Sequence, residues 1–133
     1  MISGSVTLHH YRGWKVVYCI AADITDTDDI LDVLESVGCS RIRLIKAETM
    51  MMRKSCDKGF TFTNKKKRIS VITCLKTTNI FELINTFAHE VDHVEKHISK
   101  ALGFDPYSER ASYLVGELVR DIFIDLTEKL FCR

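Results

Sequence analysis

The sequence predicts an α+β domain with a small mixed or antiparallel sheet, and three observations support this class. Two pairs of strand-like segments are each followed by a pair of helical patterns, in the order ββ-αα-ββ-αα. The strands come as hairpins rather than alternating singly with helices, which favours α+β over a doubly wound parallel sheet. The chain has 133 residues, of which 46% are hydrophobic, enough for one core. We therefore expect one domain over 1–133, with the sheet and two helices in 1–78 and two longer helices in 79–133.

The first hairpin is predicted from alternation of apolar and polar residues. Apolar side chains alternate through residues 6–10 and again through 14–20, and a Tyr-Arg-Gly turn at 11–13 separates the two runs. The apolar run at 16–22 is short for a signal peptide and is closed by Asp23, so a strand fits it better.

Two short helices are expected next. Thr25 and Asp28 match a capping box before an amphipathic helix that stops at Gly38. Ser40 can cap a second helix, which runs through the methionine cluster at 50–52. We expect these methionines to fill the core rather than to form a binding surface.

A second hairpin and two long helices complete the predicted elements. Residues 59–63 and 69–75 form the strands, with Lys65-Lys66-Lys67-Arg68 as a solvated tip, and apolar residues on both faces of 69–75 indicate an inner position. Thr77-Thr78-Asn79 starts a helix from Ile80 to Leu102, which ends at Gly103. Asp105-Pro106 opens the last helix, from about residue 107.

Charge and cysteine content exclude several classes of function. The net charge is +1, from 19 basic and 18 acidic side chains, so no strong field points to nucleic acid or a membrane surface. No apolar run approaches the roughly 18 residues of a membrane span. Five scattered cysteines without a CxxC or CxxH spacing indicate buried free thiols in a reducing compartment. We therefore predict a soluble cytoplasmic protein.

The run His89-Glu90-Val91-Asp92-His93 predicts a zinc site. In an HExxH helix, the two histidines lie one turn apart on one side, where both can bind the same Zn²⁺. The intervening Glu90 can act as general base toward a zinc-activated water. The apolar residues of this helix, Ile80, Ile84, Phe87, Val91, Val94 and Ile98, fall on the opposite face, so the histidines are not core residues.

A catalytic zinc usually has three protein ligands, and the third must come from outside this helix. His97 lies one further turn along, too far up the axis to converge with the other two, and is expected to be a neighbour of the site or solvated. His9 and His10 lie in the first hairpin, far along the chain. The last helix offers Glu109 and Glu117, and chain geometry alone leaves both open.

The segment from His89 to Arg120, with HEVDH followed by SERASYL, resembles the small HExxH proteins of the gluzincin-like metallopeptidase clan, in particular compact forms carried by phages and mobile elements of gut bacteria. The resemblance implies a zincin-like fold and makes Glu109, four residues before Tyr113-Leu114, the third zinc ligand. It also implies that strand 69–75 is a sheet-edge strand lining the cleft.

The predicted function is a zinc-dependent metallopeptidase that hydrolyses a peptide or protein substrate, with His89, His93 and Glu109 as metal ligands and Glu90 as the catalytic base. Residues 71–75 would hold the substrate by strand addition, and Tyr113 is a candidate to stabilise the oxyanion. The first alternative is a non-catalytic, zinc-stabilised structural or assembly protein of a phage or mobile element. The second is a metal-free interaction module that uses the last two helices.

Overall fold

The computed structural model describes residues 1–53 and 56–131 and shows a mixed α+β domain, as predicted. This part of the chain contains one four-stranded sheet and four α-helices. Short 3₁₀ turns at His9–Tyr11 and Ile24–Asp26 follow the first two strands. The elements are β1 Ile2–Leu8, β2 Trp14–Ala22, α1 Thr27–Ser36, α2 Arg41–Met52, β3 Gly59–Asn64, β4 Ile69–Leu75, α3 Ile80–Leu102 and α4 Glu109–Phe131.

The sheet is mixed, in the order β1-β2-β4-β3. β1 pairs antiparallel with β2, β2 pairs parallel with β4, and β4 pairs antiparallel with β3. The predicted inner position of 69–75 is confirmed, because β4 has a partner on each side and all its residues after Ile69 are buried. The expectation that the same strand forms the sheet edge is wrong. β3 occupies that edge.

Helices cover both faces of the sheet. On one face, Trp14, Tyr18 and Ile72 belong to a core that continues into α3 and α4. On the other face, Cys19, Phe62 and Val71 pack with residues of α1 and α2. Alternate residues of each inner strand therefore enter different cores, which explains why β2 and β4 are apolar on both sides. On the face covered by α3 and α4, α3 contacts β3 and β4, whereas α4 contacts β1.

The helix boundaries follow the capping residues. Asn79 accepts a hydrogen bond from the Glu82 amide at the start of α3, and Gly103 ends the helix at φ 80°, so α3 has its predicted bounds. Ser40 caps α2 as predicted, with its hydroxyl accepting from the Arg43 amide. The predicted Thr25–Asp28 capping box is wrong: Asp23 and Asp26 form the box at the Ile24–Asp26 turn instead.

The methionine and cysteine side chains differ in how far they are buried. Met51 is buried in the core, but Met52 is exposed, so core filling is confirmed for only part of the cluster. Cys19 and Cys74 are buried free thiols, and burial raises the pKa of Cys19 to about 11 and of Cys74 to about 12. Cys56 is exposed, and Cys132 lies outside the described residues.

Within residues 1–53 and 56–131, no helix combines the length and the apolar character needed to cross a membrane.

Candidate metal site

Helix α3 brings two imidazole nitrogens together at its exposed surface. The Nε2 atoms of His89 and His93 lie 3.1 Å apart, and the two rings are nearly perpendicular, at 86°. In a tetrahedral zinc site with Zn–N bonds of about 2.0–2.1 Å, two ligating nitrogens are about 3.3 Å apart. The pair therefore has the separation that a shared Zn²⁺ requires, and it reaches this separation because residues four apart stack on one side of a helix.

Glu90 lies beside the histidine pair but belongs to the interior. Its side chain is 3% exposed, and its Oε2 atom accepts a hydrogen bond of 2.6 Å from the Thr61 hydroxyl on β3. One ligand atom from each of His89, Glu90 and His93 lies within 4.8 Å of the others. The structure thus brings together three of the four predicted site residues.

The edge strand β3 approaches α3 closely at Gly59. A Cβ atom at this position would lie 2.9 Å from the Thr73 carbonyl oxygen, 3.0 Å from Cγ of Glu90 and 3.0 Å from Cγ2 of Thr86. Glycine is therefore what allows the glutamate to pack under the strand. Neither Gly59 nor Thr61 was predicted from the sequence to belong to the site. The only signal for them was a glycine and alternating threonines at the start of a predicted strand.

A small polar cleft opens beside the site. It has a volume of about 240 Å³, and Asp57, Asn85, His89 and Glu90 are among its lining residues. Asp57 was also missed from the sequence. Its Oδ1 atom accepts a hydrogen bond of 2.8 Å from the Thr78 amide, so this carboxylate is anchored to the loop before α3. The cleft reaches His89 and Glu90 from the solvent.

The remaining histidines lie outside the group. His97 is half-buried, and its Nδ1 atom lies 2.8 Å from the Thr63 hydroxyl. Burial and, next, the nearby His93 lower the pKa of His97. His10 donates a hydrogen bond of 3.0 Å to Glu117. His97 is thus held against β3 by Thr63, and His10 lies against α4 at Glu117.

The two candidate third ligands are on α4, away from the histidine pair. Glu109 is exposed, and its Oε1 atom accepts a hydrogen bond of 3.2 Å from the Tyr113 hydroxyl. Glu117 accepts from His10, as above, and its Oε1 atom lies 3.8 Å from Arg120. Glu90 faces β3 at one edge of the sheet, whereas α4 packs over β1 at the other edge. Among the described residues, neither carboxylate joins the group formed by the HExxH side chains.

Comparison with known proteins adds no family to this description. No protein-family model, curated protein or solved structure matches the chain.

Proposed function

We propose that this protein is a zinc-dependent metallopeptidase with a zincin-like site. The observation that supports the proposal is the convergence of His89, Glu90 and His93 within 4.8 Å, two of them exposed imidazoles and the third a buried carboxylate. Two histidines one turn apart beside a glutamate, next to a sheet edge, form the arrangement that zinc peptidases use.

His89 and His93 would hold the ion. When bound, Zn²⁺ supplies Lewis acidity, lowering the pKa of a coordinated water toward about 7 and polarising a carbonyl. We retain Glu109 as the proposed third ligand because the Tyr113-Leu114 pair follows it at the spacing of the resembling proteins. Its carboxylate is exposed at the first residue of α4, where it accepts a hydrogen bond from Tyr113.

Glu90 is the proposed general base. The Thr61 hydroxyl engages its Oε2 atom, which leaves the other carboxylate oxygen to take a proton from the attacking water. The same oxygen then delivers that proton to the leaving amine. Burial beneath Gly59 restricts the side chain to few rotamers, so the carboxylate is oriented before substrate arrives.

The substrate would add as a strand to β3. The expected role of 71–75 in strand addition is wrong, because β4 already pairs with β2 and β3. The Leu75 amide donates to the Lys58 carbonyl, and antiparallel pairs alternate, so the backbone groups of Gly59, Thr61 and Thr63 point toward the free edge. A peptide paired there would run alongside the HExxH helix.

The zinc-stabilised structural protein is less well supported. Structural zinc sites are closed and have four protein ligands. Here the two histidines are exposed, and the residue between them is a buried carboxylate, which a structural site does not need.

The decisive test compares the wild-type protein with Glu90→Gln. Each is purified without a histidine tag, loaded with Zn²⁺ and incubated with a mixed peptide library that is read by mass spectrometry. We expect Glu90→Gln to bind as much zinc as the wild type and to hydrolyse at least about 100-fold more slowly. Equal cleavage by both proteins, or no cleavage by the zinc-loaded wild type, would contradict the proposal.

A further inference from the structure

A second cleft lies on the face of β3 that points away from Glu90. It has a volume of about 290 Å³ and opens between β3 and α2. Ligand sites for small molecules typically measure about 300–1,000 Å³, so this cleft suits a single large side chain. Its walls combine apolar side chains with two cations, and the principal lining residues are Cys39, Arg43, Lys46, Met50, Phe60 and Phe62.

The cleft and the candidate metal site share one residue of β3. Thr61 lines the cleft, and its hydroxyl holds Glu90 on the other face. Successive side chains of a strand point to opposite faces. Phe60 and Phe62 therefore belong to the cleft, whereas Thr63 faces α3 and contacts His97.

The same alternation determines how an added peptide would sit. Residues directly opposite one another in an antiparallel pair share a face of the sheet. A peptide residue opposite Thr61 would thus lie on the side of Glu90. Its neighbours in the peptide, opposite Phe60 and Phe62, would project toward the cleft. A peptide held for hydrolysis would therefore place in this cleft a side chain that neighbours the residue opposite Thr61.

The cleft between α2 and β3 carries two positive charges. The Arg43 guanidinium lies 5.6 Å from the centroid of the Phe62 ring, and Lys46 is on the same wall. A peptide side chain that enters this cleft therefore meets both cations.

One run of the chain is rich in acidic side chains. Residues 23–35 contain Asp23, Asp26, Asp28, Asp29, Asp32 and Glu35, and they form the Ile24–Asp26 turn and α1. The cleft itself is lined by two cations, Arg43 and Lys46, and, among the described residues, by no carboxylate, although α1 packs against α2 and contributes Leu34 to its wall. Such a surface favours an anionic partner.

From these observations we propose that the cleft between α2 and β3 is a specificity site that binds an apolar side chain of an acidic, extended peptide, with the flanking carboxylates of the peptide paired to Arg43 and Lys46. The proposal rests on the proposed function, because it assumes that a peptide adds to β3. It adds to that function a substrate class, acidic segments that carry an isolated large apolar residue.

The test measures binding separately from turnover. The full chain with Glu90→Gln is titrated against three fluorescent peptides and read by anisotropy. The first peptide is rich in Asp and Glu with one central leucine, the second replaces that leucine with glycine, and the third replaces the acidic residues with lysine. We expect the first to bind at least about tenfold more tightly than either of the others, and its affinity to fall as salt is raised.

Variants of α2 locate the contact. In the same background, Lys46→Glu should weaken binding of the acidic leucine peptide about tenfold. Arg41→Glu makes the same change of charge on an exposed residue of the same helix outside the cleft, and it should change affinity less than about twofold. Equal effects of the two substitutions, equal binding of the leucine and glycine peptides, or binding of none of the three, would overturn the proposal.

Failure of the cleft and failure of the peptidase are distinguishable. Tight, leucine-dependent binding without hydrolysis by the zinc-loaded wild type would support the cleft and contradict the peptidase. Hydrolysis of a peptide library with no preference for acidic segments containing a large apolar residue would support the peptidase and overturn the cleft.

Discussion

The hydroxyl of Thr61 on the edge strand donates a hydrogen bond of 2.6 Å to Oε2 of Glu90 on α3. The bond joins the strand on which a substrate would lie to the carboxylate that would move the proton. Glu90 is 3% exposed, and a buried carboxylate is costly unless it is hydrogen-bonded. Thr61 therefore both provides this buried carboxylate with a hydrogen-bond partner and orients it.

Replacing Thr61 with valine removes this bond and preserves the shape of the side chain. We expect zinc content to stay unchanged and kcat for peptide hydrolysis to fall about 10–100-fold, the range for residues that orient a metal site from outside it. Thr61→Ser should restore most of the rate, because its hydroxyl can donate in the same direction. Loss of zinc in Thr61→Val, or no recovery in Thr61→Ser, would show that the hydroxyl does not act through Glu90.

Zinc binding should depend on the two histidines of the HExxH helix. His89→Ala and His93→Ala are each expected to lose stoichiometric zinc by elemental analysis, and to lose the rise in Tm that zinc gives the wild type. His10→Ala is the matched control, because this histidine contacts Glu117 instead. Undiminished zinc in the first two variants would refute the site.

The same assay tests the third ligand. Glu109→Ala should weaken zinc affinity more than Glu117→Ala does, if Glu109 reaches the histidine pair when the metal binds. Competition with a zinc-sensitive dye measures the difference. Equal affinities in the two variants would remove Glu109 from the ligand set.

We predict that replacing Gly59, the glycine of β3 that lies against Glu90, with alanine destabilises the protein. The added methyl group meets the Thr73 carbonyl and Glu90 at about 3 Å, so we expect a loss of about 1–3 kcal/mol in the free energy of unfolding by urea. Gly116→Ala is the control, because nothing lies within 4 Å of its Cβ position in α4. That variant should gain about 0.5–1 kcal/mol. Similar effects of both substitutions would contradict the close approach of β3 to α3.

Asp125 should make the stability of the domain depend on pH at the acidic end. It accepts hydrogen bonds from Tyr18 and Lys129, and its pKa is lowered, mainly by the bond from Tyr18. A lowered pKa in the folded state means stability that is present above the unfolded pKa of about 3.9 and is lost as pH falls through the folded value.

Asp125→Asn should therefore cost about 1–2 kcal/mol at pH 7, and this difference should shrink as unfolding is measured at lower pH, below about 4. Asp121→Asn, which breaks an ion pair with the exposed Arg120, should cost less than about 0.5 kcal/mol at any pH. A difference between Asp125→Asn and the wild type that is constant with pH would contradict the assignment of the shift to Asp125.

The sequence by itself was sufficient for the features that depend on neighbouring residues. Asn79 and Gly103 mark the ends of α3 because capping is a local backbone interaction. Pairing of the two histidines follows from helical spacing alone, and the basic hairpin tip follows from alternation on either side of it.

Only the tertiary structure determined what lies beside these features. The sequence pattern indicated an inner position for β4 but could not show that β2 is its second partner, because parallel pairing of β2 with β4 joins segments about 50 residues apart. For the same reason Thr61 and Gly59 were not recognised: their importance comes from Glu90, which is 29 residues from Thr61 in the chain. Long-range contacts of this kind depend on how layers pack, and no local pattern of residues encodes them.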